Sequence, residues 1–441
     1  MVVRLPTLIP FGVVTVLDWS VEQVQQRQGS TFLRSIAFRF LSILILLPHP
    51  FSVGNASEEV YFGLLTARRT GKRLLVLAPL QLRGVLRLPL LDFSIVDVQS
   101  EFMVCRPLNP LLLPLRWIVT IYFGIWRLIS EVRVSRLGLQ GLSTERTWPN
   151  AGQDRIWLPE SGSRAFSWDA VDELNWEEQF ARPLNVRLSA RTCQSGSDAL
   201  IGMGVPEGSW FACVHVREGG FWGDHNSPRN ADIHSYIPML KEIVSAGGHV
   251  VRMGDRTMTP LPDLWNIHDY AVGPLKSAVT DAYLMKHCRF FIGMQSGLQD
   301  TALLYERPCL IVNMYDPNFA LPFLVNHRGM FKIFHNLVTG NSIDPLDLVC
   351  RSDSIEERSL AGENASDDLT RALRNFLVAL EQEFPRNEVH PREPEFQAQY
   401  RAFLEDPIAG ASTNKHDVVQ SYRFASRLTS GTLSRILTPL A

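Results

Sequence analysis

The stretch Trp210-Phe211-Ala212-Cys213-Val214-His215-Val216-Arg217-Glu218-Gly219-Gly220 decides how the chain is to be read. Its first half is a continuous apolar run, the pattern of a strand buried on both faces of a sheet. Its end turns abruptly polar and then into two glycines. Outward from this strand (210–216), an amphipathic helix is predicted over 234–246, with Tyr236, Ile237, Leu240, Ile243 and Val244 on one face and Gly247-Gly248 as its stop. Further strands over 249–253, 266–271, 289–293 and 309–313 alternate with helices over 280–287 and 296–305. That alternation predicts a parallel, doubly wound α/β sheet. An edge strand over 331–334 and an apolar-faced helix over 366–384 complete the unit, and a short helix near 396–404 is expected in the tail.

The first half of the chain is less periodic. Gly54-Asn55 and Ser57-Glu58-Glu59 form a capping-type start, followed by Val60, Tyr61, Leu64 and Leu65 at helical spacing and by Gly71 as a stop. Residues 74–77 read as a buried strand and 93–98 as another, whereas 143–167, rich in Gly, Pro, Ser and Trp, reads as a long loop. Four regions follow: an N-terminal extension (1–50, apolar in part), an N-terminal α/β domain (51–200), a C-terminal α/β domain (205–385) and a tail with short helices (386–441).

Composition narrows the function. Of 441 residues, 46% are hydrophobic and 20% charged, enough apolar material for large cores and too much for disorder. A formal net charge of -2 supplies no global field for nucleic acid, so an anionic ligand must be held by a local cationic cluster. Six scattered cysteines without a CxxC pair or His/Cys metal spacing indicate a reducing compartment, hence a cytoplasmic protein. Asp18 and Glu22 follow the first apolar run, so no secretory leader is expected. The run 36–47 is too short to span a bilayer and is broken by Arg39; 111–129 has the roughly 20 residues required but carries Pro114, Arg116 and Arg127, and is expected to be a buried or interfacial helix.

In open α/β sheets ligands sit outside the carboxyl ends of the strands, and those ends are polar here. Strand alternation puts His215 and Arg217 on one side, a diphosphate contact when followed by the Gly219-Gly220 turn. Arg252-Met253-Gly254-Asp255 offers close backbone approach plus a carboxylate for hydroxyls, or simply a capped turn. Gly293-Met294-Gln295-Ser296-Gly297 opens a helix whose free N–H groups suit phosphate, with Ser296 readable equally as an N-cap. The loop 221–233 carries Asp224, His225, Arg229, Asn230 and Asp232, where acceptor recognition and general-base chemistry would sit, and Lys276-Ser277 with Asp281 form a weaker group. No Walker lysine and no GxGxxG is present, which excludes an ordinary P-loop or dinucleotide fingerprint.

At His215-Val216-Arg217-Glu218, Arg229-Asn230-Ala231-Asp232-Ile233, Arg252-Met253-Gly254-Asp255, Pro274-Leu275-Lys276-Ser277 and Cys288-Arg289-Phe290-Phe291-Ile292-Gly293, the chain resembles a family of bacterial glycosyltransferases associated with surface-polysaccharide synthesis. It is more distantly similar to GT-B fucosyltransferases, whose His-x-Arg motif opens the second domain. The resemblance implies a GT-B-like fold, two Rossmann-type domains facing a cleft, with the nucleotide sugar on the C-terminal domain and a saccharide or lipid-linked saccharide acceptor on the N-terminal one. It implies that Arg217, with His215 beside it, contacts the donor diphosphate. Two positions depart from the pattern: Glu218-Gly219-Gly220 replaces the usual Gly-Asp, and Gln295 replaces a small residue.

The resulting expectation is a metal-independent transferase without a cofactor, in which Arg217, Arg252 and Lys276, with Ser296-Gly297, neutralise the departing diphosphate. Gly254 and Asp255 complete the donor side; Arg229, Asn230 and Asp232 face the acceptor; Glu218, Asp224 or His225 supplies the base. A sugar-nucleotide epimerase and a non-catalytic sugar-nucleotide-binding protein are the alternatives. No nucleic-acid partner is expected, and the apolar N-terminal region suggests peripheral association with the inner face of the membrane.

Overall fold

The computed structural model describes residues 43–49, 52–81, 91–122, 124, 156–158, 163–165, 182–221, 223–316, 324–344, 347, 359–384, 391–392, 394–395, 398 and 436–437. The chain divides into two compact units, Met1–Val171 with Leu184–Arg187, and Asp172–Pro183 with Leu188–Ala441.

In the first unit, β1 (Ile43–Leu46) and β2 (Arg73–Val76) are parallel neighbours on either side of α1 (Val53–Thr70) in sequence. Two short antiparallel strands, β3 (Ile156–Leu158) and β4 (Ser163–Ala165), complete the order β2-β1-β3-β4. They fall inside the stretch expected to be loop; the remainder of 143–167 lies outside the described residues, as does 1–42. α1 ends as its sequence dictates, with Gly71 at φ +64 and the Lys72 N–H donating to the Ala67 carbonyl at 2.9 Å. It starts four residues before the expected cap, because Ser57 and Glu59 are buried within it and the Glu59 carboxylate accepts the His49 N–H at 2.7 Å.

The strand expected over 93–98 is instead a 3-10 turn, Phe93–Val96. The Asp92 carboxylate accepts the Ser94 N–H at 3.0 Å, a local bond that competes with strand pairing. Residues 113–122 form a helix whose Arg116 turns inward, donating to the carbonyls of Ala78 at 3.0 Å and Pro79 at 3.2 Å. Among the described residues no helix is long and apolar enough to cross a membrane. Of the cysteines described, Cys105, Cys193, Cys213, Cys288 and Cys309 are free thiols.

The second unit is built on β5 (Phe211–Val214), β6 (His249–Arg252), β7 (Ile267–His268), β8 (Phe290–Gly293), β9 (Cys309–Met314) and β10 (His327–Phe331), with β14 (Ile436–Leu437) at one edge. All neighbours are parallel, in the order β14-β10-β9-β8-β5-β6-β7. The chain therefore runs outward from β5 through β6 to β7, then returns to β8 and runs the other way. The sheet is covered by α3 (Ile237–Ser245) and α6 (Ser366–Glu381), whose Leu240, Ile243, Leu373 and Phe376 join Val214, Val250 and Phe290 in one buried core. Each such side chain contributes roughly 1.5–3 kcal/mol by leaving water.

The single edge strand expected over 331–334 is two strands in two sheets. β10 lies between β9 and β14, while β11 (Ile333–Asn336) pairs antiparallel with β12 (Ser342–Ile343) and β13 (Ser359–Gly362). Lys332 marks the break: it is buried and its ammonium donates to the Asn230 carbonyl at 2.6 Å. The tail helix expected near 396–404 falls almost wholly outside the described residues.

Packing outside the sheet is tight where α2 (Ala190–Gly202) meets α4 (Ala278–His287). A Cβ on Gly196 would lie 2.1 Å from Tyr283 Cβ, an atom that cannot swing aside without moving α4. Gly196→Ala is therefore expected to destabilise the fold by about 1–3 kcal/mol despite the better helix propensity of alanine; a lowered midpoint in urea or thermal unfolding checks it.

Candidate functional site

The strand order reverses between β5 and β8, and the carboxyl ends of these two strands lie side by side. The His215 N–H donates to the Ile292 carbonyl at 2.9 Å, and the Arg217 N–H meets the Met294 sulfur at 3.3 Å. Around this reversal the polar residues fall into three groups.

The first group surrounds two arginines. Arg217, with its side chain only 12% exposed, donates to Asn230 Oδ1, to Ser227 Oγ at 3.4 Å and to Asp224 Oδ2 at 2.5 Å. Asn230 is held by donating its own amide to the carbonyls of Asp224 and His225, at 2.9 and 3.2 Å. Arg229 donates to the Gln295 carbonyl at 2.9 Å. Burial lowers its pKa, and the like charge of Arg217 lowers it further, so the two guanidinium groups share one electrostatic environment. Asp224 Oδ1 is shielded from solvent without a hydrogen-bond partner among the described residues.

Beside them begins α5 (Gly297–Leu304). Ser296 occupies the N-cap position, yet its side chain makes no capping bond, and its hydroxyl is buried without a partner among the described residues. The Gln295 side chain is clasped to the end of β9, accepting from the N–H groups of Tyr315 and Asp316 at 2.8 and 2.9 Å and donating to the Asp316 carbonyl at 2.7 Å.

The second group is an internal ion cluster. The Arg252 side chain is fully buried and donates to Glu218 Oε1, to both Asp269 oxygens at 3.3 Å and to the Thr259 carbonyl at 2.5 Å. Glu218 Oε2 accepts the Thr259 N–H at 2.7 Å. This corrects two expectations: Arg252 is not placed to meet a diphosphate, and Glu218 has both oxygens engaged and is not a free base. Gly254, at φ +152, accommodates the Met258 sulfur, which a Cβ would meet at 2.1 Å. Asp255 Oδ1 caps its own turn, accepting from the Thr257 N–H at 2.8 Å. Gly219 and Gly220 likewise serve loop packing, against His225 and Thr257.

The third group holds His215 and Lys276. β5 ends at Val214, so alternation does not carry His215 and Arg217 to one set of partners. His215 Nδ1 faces the Met253 carbonyl at 3.3 Å, a contact it makes as a donor. Burial, aided by the nearby charges of Arg252 and Lys276, lowers its pKa to about 4. Lys276 is paired with Asp281, both carboxylate oxygens at 2.5 Å, over the ring of Tyr270. His225 is exposed, and Asp232 caps the turn Ile233–Tyr236, accepting from the His234 N–H at 2.9 Å. Among the described residues no three His, Cys, Asp or Glu side chains gather as a metal site.

Residues that sequence reasoning passed over are Asp269, Lys332 and Asp300. Asp300 lies in the first turn of α5, half-buried and in the field of Arg229.

No family model and no curated protein matches the chain. Among solved structures it is similar to ADP-heptose LPS heptosyltransferase II of E. coli, at 16% identity over 77% of this chain and 99% of that one, TM-score 0.38. It is also similar to a glycosyl transferase family 9 protein of Veillonella parvula, at 10% identity over 76% and 97%, TM-score 0.39.

Two outcomes follow from this division. Arg252→Ala leaves Glu218 and Asp269 without their buried counter-ion and should cost about 3–5 kcal/mol, whereas Arg217→Ala, at the edge of solvent, should cost far less; chemical denaturation of both variants separates them. His215 stays neutral in the folded chain until pH falls to about 4, while the unfolded chain protonates it near its ordinary value. Stability is therefore lost as pH falls through that window, and the loss, on the order of 3 kcal/mol, should be absent in His215→Asn when melting temperatures are compared from pH 7 to 4.

Proposed function

We propose that the protein is a GT-B-like glycosyltransferase and that the diphosphate of its nucleotide-sugar donor is taken at the β5–β8 reversal by Arg217, Arg229 and the start of α5 at Ser296-Gly297. The observation that carries this reading is the pairing of two guanidinium groups beside a buried hydroxyl that caps nothing. Guanidinium forks match phosphate oxygens bidentately, and a helix start adds free N–H groups and the positive end of its dipole. Arg229 thus takes the role first given to Arg252, and Lys276 contributes charge from within its pair with Asp281.

Charge supplied by these side chains is suited to a departing nucleoside diphosphate, without a metal being assigned a step. Asp224 is the preferred base, because Oδ1 has no partner among the described residues while Oδ2 is held by Arg217. In the transfer, the acceptor oxygen bonds to the anomeric carbon as its proton passes to Asp224 and the carbon–oxygen bond to the diphosphate breaks. We assign a saccharide or lipid-linked saccharide of surface-polysaccharide synthesis as acceptor, at the inner face of the membrane. Half-exposed Trp117, Ile118 and Ile121 on the 113–122 helix support peripheral contact there.

A non-catalytic sugar-nucleotide-binding protein is the second reading, favoured by the engagement of Asp224 with Arg217. Thermal shift against ADP-, GDP-, UDP- and dTDP-sugars, with and without EDTA, should stabilise the protein with one nucleotide class by mass action. Arg217→Ala or Arg229→Ala should weaken that binding about 10- to 100-fold, the worth of one charge-assisted contact. Release of nucleoside diphosphate with an acceptor extract, lost in Asp224→Asn, supports transfer; binding with no turnover supports the second reading. No stabilisation by any donor would sink the anion site itself.

A further inference from the structure

Resting on the anion site proposed above, we infer that Lys332 is a positioning residue for that site: together with Glu363 it grips the two peptide groups flanking Ala231, and so fixes Asn230, the side chain to which Arg217 donates.

The contacts form a continuous chain of hydrogen bonds. The Lys332 ammonium donates to the Asn230 carbonyl at 2.6 Å. The N–H of that same peptide group, carried by Ala231, donates to the Arg217 carbonyl at 3.0 Å. On the next peptide group, the Asp232 N–H donates to Glu363 Oε2 at 2.9 Å. With its backbone held in this way, Asn230 presents Oδ1 to the Arg217 guanidinium and gives its amide to the carbonyls of Asp224 and His225, at 2.9 and 3.2 Å. Arg217 in turn holds Asp224 Oδ2. Through Asn230, one ammonium is connected to both the guanidinium and the carboxylate of the proposed site.

The two gripping side chains stand on a common base. The Lys332 N–H donates to the Met314 carbonyl at 2.9 Å, at the end of β9. Asn364, the buried residue after Glu363, exchanges bonds with Asn313 of β9. The Asn313 N–H meets Asn364 Oδ1 at 2.9 Å, and the Asn364 N–H meets Asn313 Oδ1 at 2.7 Å. The Asn364 amide also donates to the Phe331 carbonyl at 2.7 Å. Residues 331–332 and 363–364 thus form one block with β9, from which Lys332 and Glu363 reach to the loop after β5.

Lys332 is a costly choice for packing alone. It is 3% exposed, and burial lowers its pKa against the pull of Glu363. Among the described residues its ammonium bonds only to Asn230. A buried ammonium costs the fold more than an apolar side chain of similar length would. Glu363 is exposed and can be solvated without Lys332. A lysine kept for packing would gain by becoming apolar; one kept to position Asn230 gives up stability for a site set before the ligand arrives.

The test uses the full-length protein with sulfate, UDP-glucose, GDP-mannose and ADP-glucose as probes. Dissociation constants and melting temperatures are measured for the wild type, Lys332→Met, Asn230→Ala and the double variant, with Arg217→Ala as the reference for the site. Lys332→Met should weaken binding about tenfold while melting at or above the wild-type temperature, a split that a packing role would not produce. In the double variant the loss should be no greater than in Asn230→Ala alone, because the lysine acts through that side chain. Glu363→Ala, a change at an exposed position, should weaken the same probes about threefold and decides the question if Lys332→Met does not fold. Wild-type binding in these variants, with or without a lower melting temperature, would overturn the role of Lys332, as would losses that multiply independently in the double variant. Binding lost in Arg217→Ala beside such a result leaves the anion site standing. Failure of every probe to bind the wild type would overturn both.

Discussion

A guanidinium without solvent exposure has to be neutralised where it stands, and Arg252 at the end of β6 imposes that requirement on its surroundings. The carboxylates come from both flanking strands, Glu218 beyond β5 and Asp269 beyond β7. The same two carboxylates accept the N–H groups of Thr259 and Leu261, both at 2.7 Å, so the loop after β6 is closed over its own charge. Three strand ends are locked by one side chain. The consequence for the site is local and directional. Glu218 is drawn toward β6, and Arg217, the residue before it, faces the 224–230 loop instead.

Two guanidinium groups at close quarters repel, and at the effective dielectric of a protein surface, about 20, that repulsion reaches a few kcal/mol at contact distances. The chain offsets it with carboxylates and amides fixed by the backbone. Asn230 is anchored at both ends, and its own carbonyl receives the buried Lys332 from the end of β10. Gln295 ties the start of α5 to the end of β9. The arginines are therefore held in place before any ligand arrives, which lowers the ordering cost of binding.

Much of the second unit was legible because its central strands are buried on both faces and appear as unbroken apolar runs; Phe211–Val214, Phe290–Gly293 and Cys309–Met314 fall within a residue or two of expectation. What misled was local. Phe93–Val96 has strand-like composition, but the carboxylate of Asp92 bonds within its own turn. Residues 331–334 carry a strand-like apolar pattern, but Lys332 within them is buried and separates two sheets. At the candidate site, the structure divides the charged residues differently from the expectation, with Arg252 in a buried ion cluster and Arg217 in a separate group. Arg252 and Arg217 look alike at strand ends. The distinguishing signal is the flank: Val250-Val251-Arg252-Met253 embeds its arginine in apolar neighbours, the mark of a buried ion, while Arg217 opens a glycine-rich polar loop. No comparable signal marks Gln295, whose role arises from contacts with the end of β9.

Topology explains why the charges of the Arg252 cluster and those around Arg217 separate as they do. β5, β6 and β7 follow one another in sequence and in space, so the loops beyond β5 and β6 pass over the same side and can bond to each other, as the Arg252 cluster does. Between β5 and β8 the chain departs in opposite directions, and no single connection covers both ends. Polar groups placed there find fewer partners from the loops themselves: among the described residues the Ser296 hydroxyl and Asp224 Oδ1 are buried without a hydrogen bond, as is Arg252 Nε in the neighbouring cluster. The strand order thus gives the two ends at the reversal no connecting loop of their own, which is why the proposed anion site is placed there and not at the Arg252 cluster.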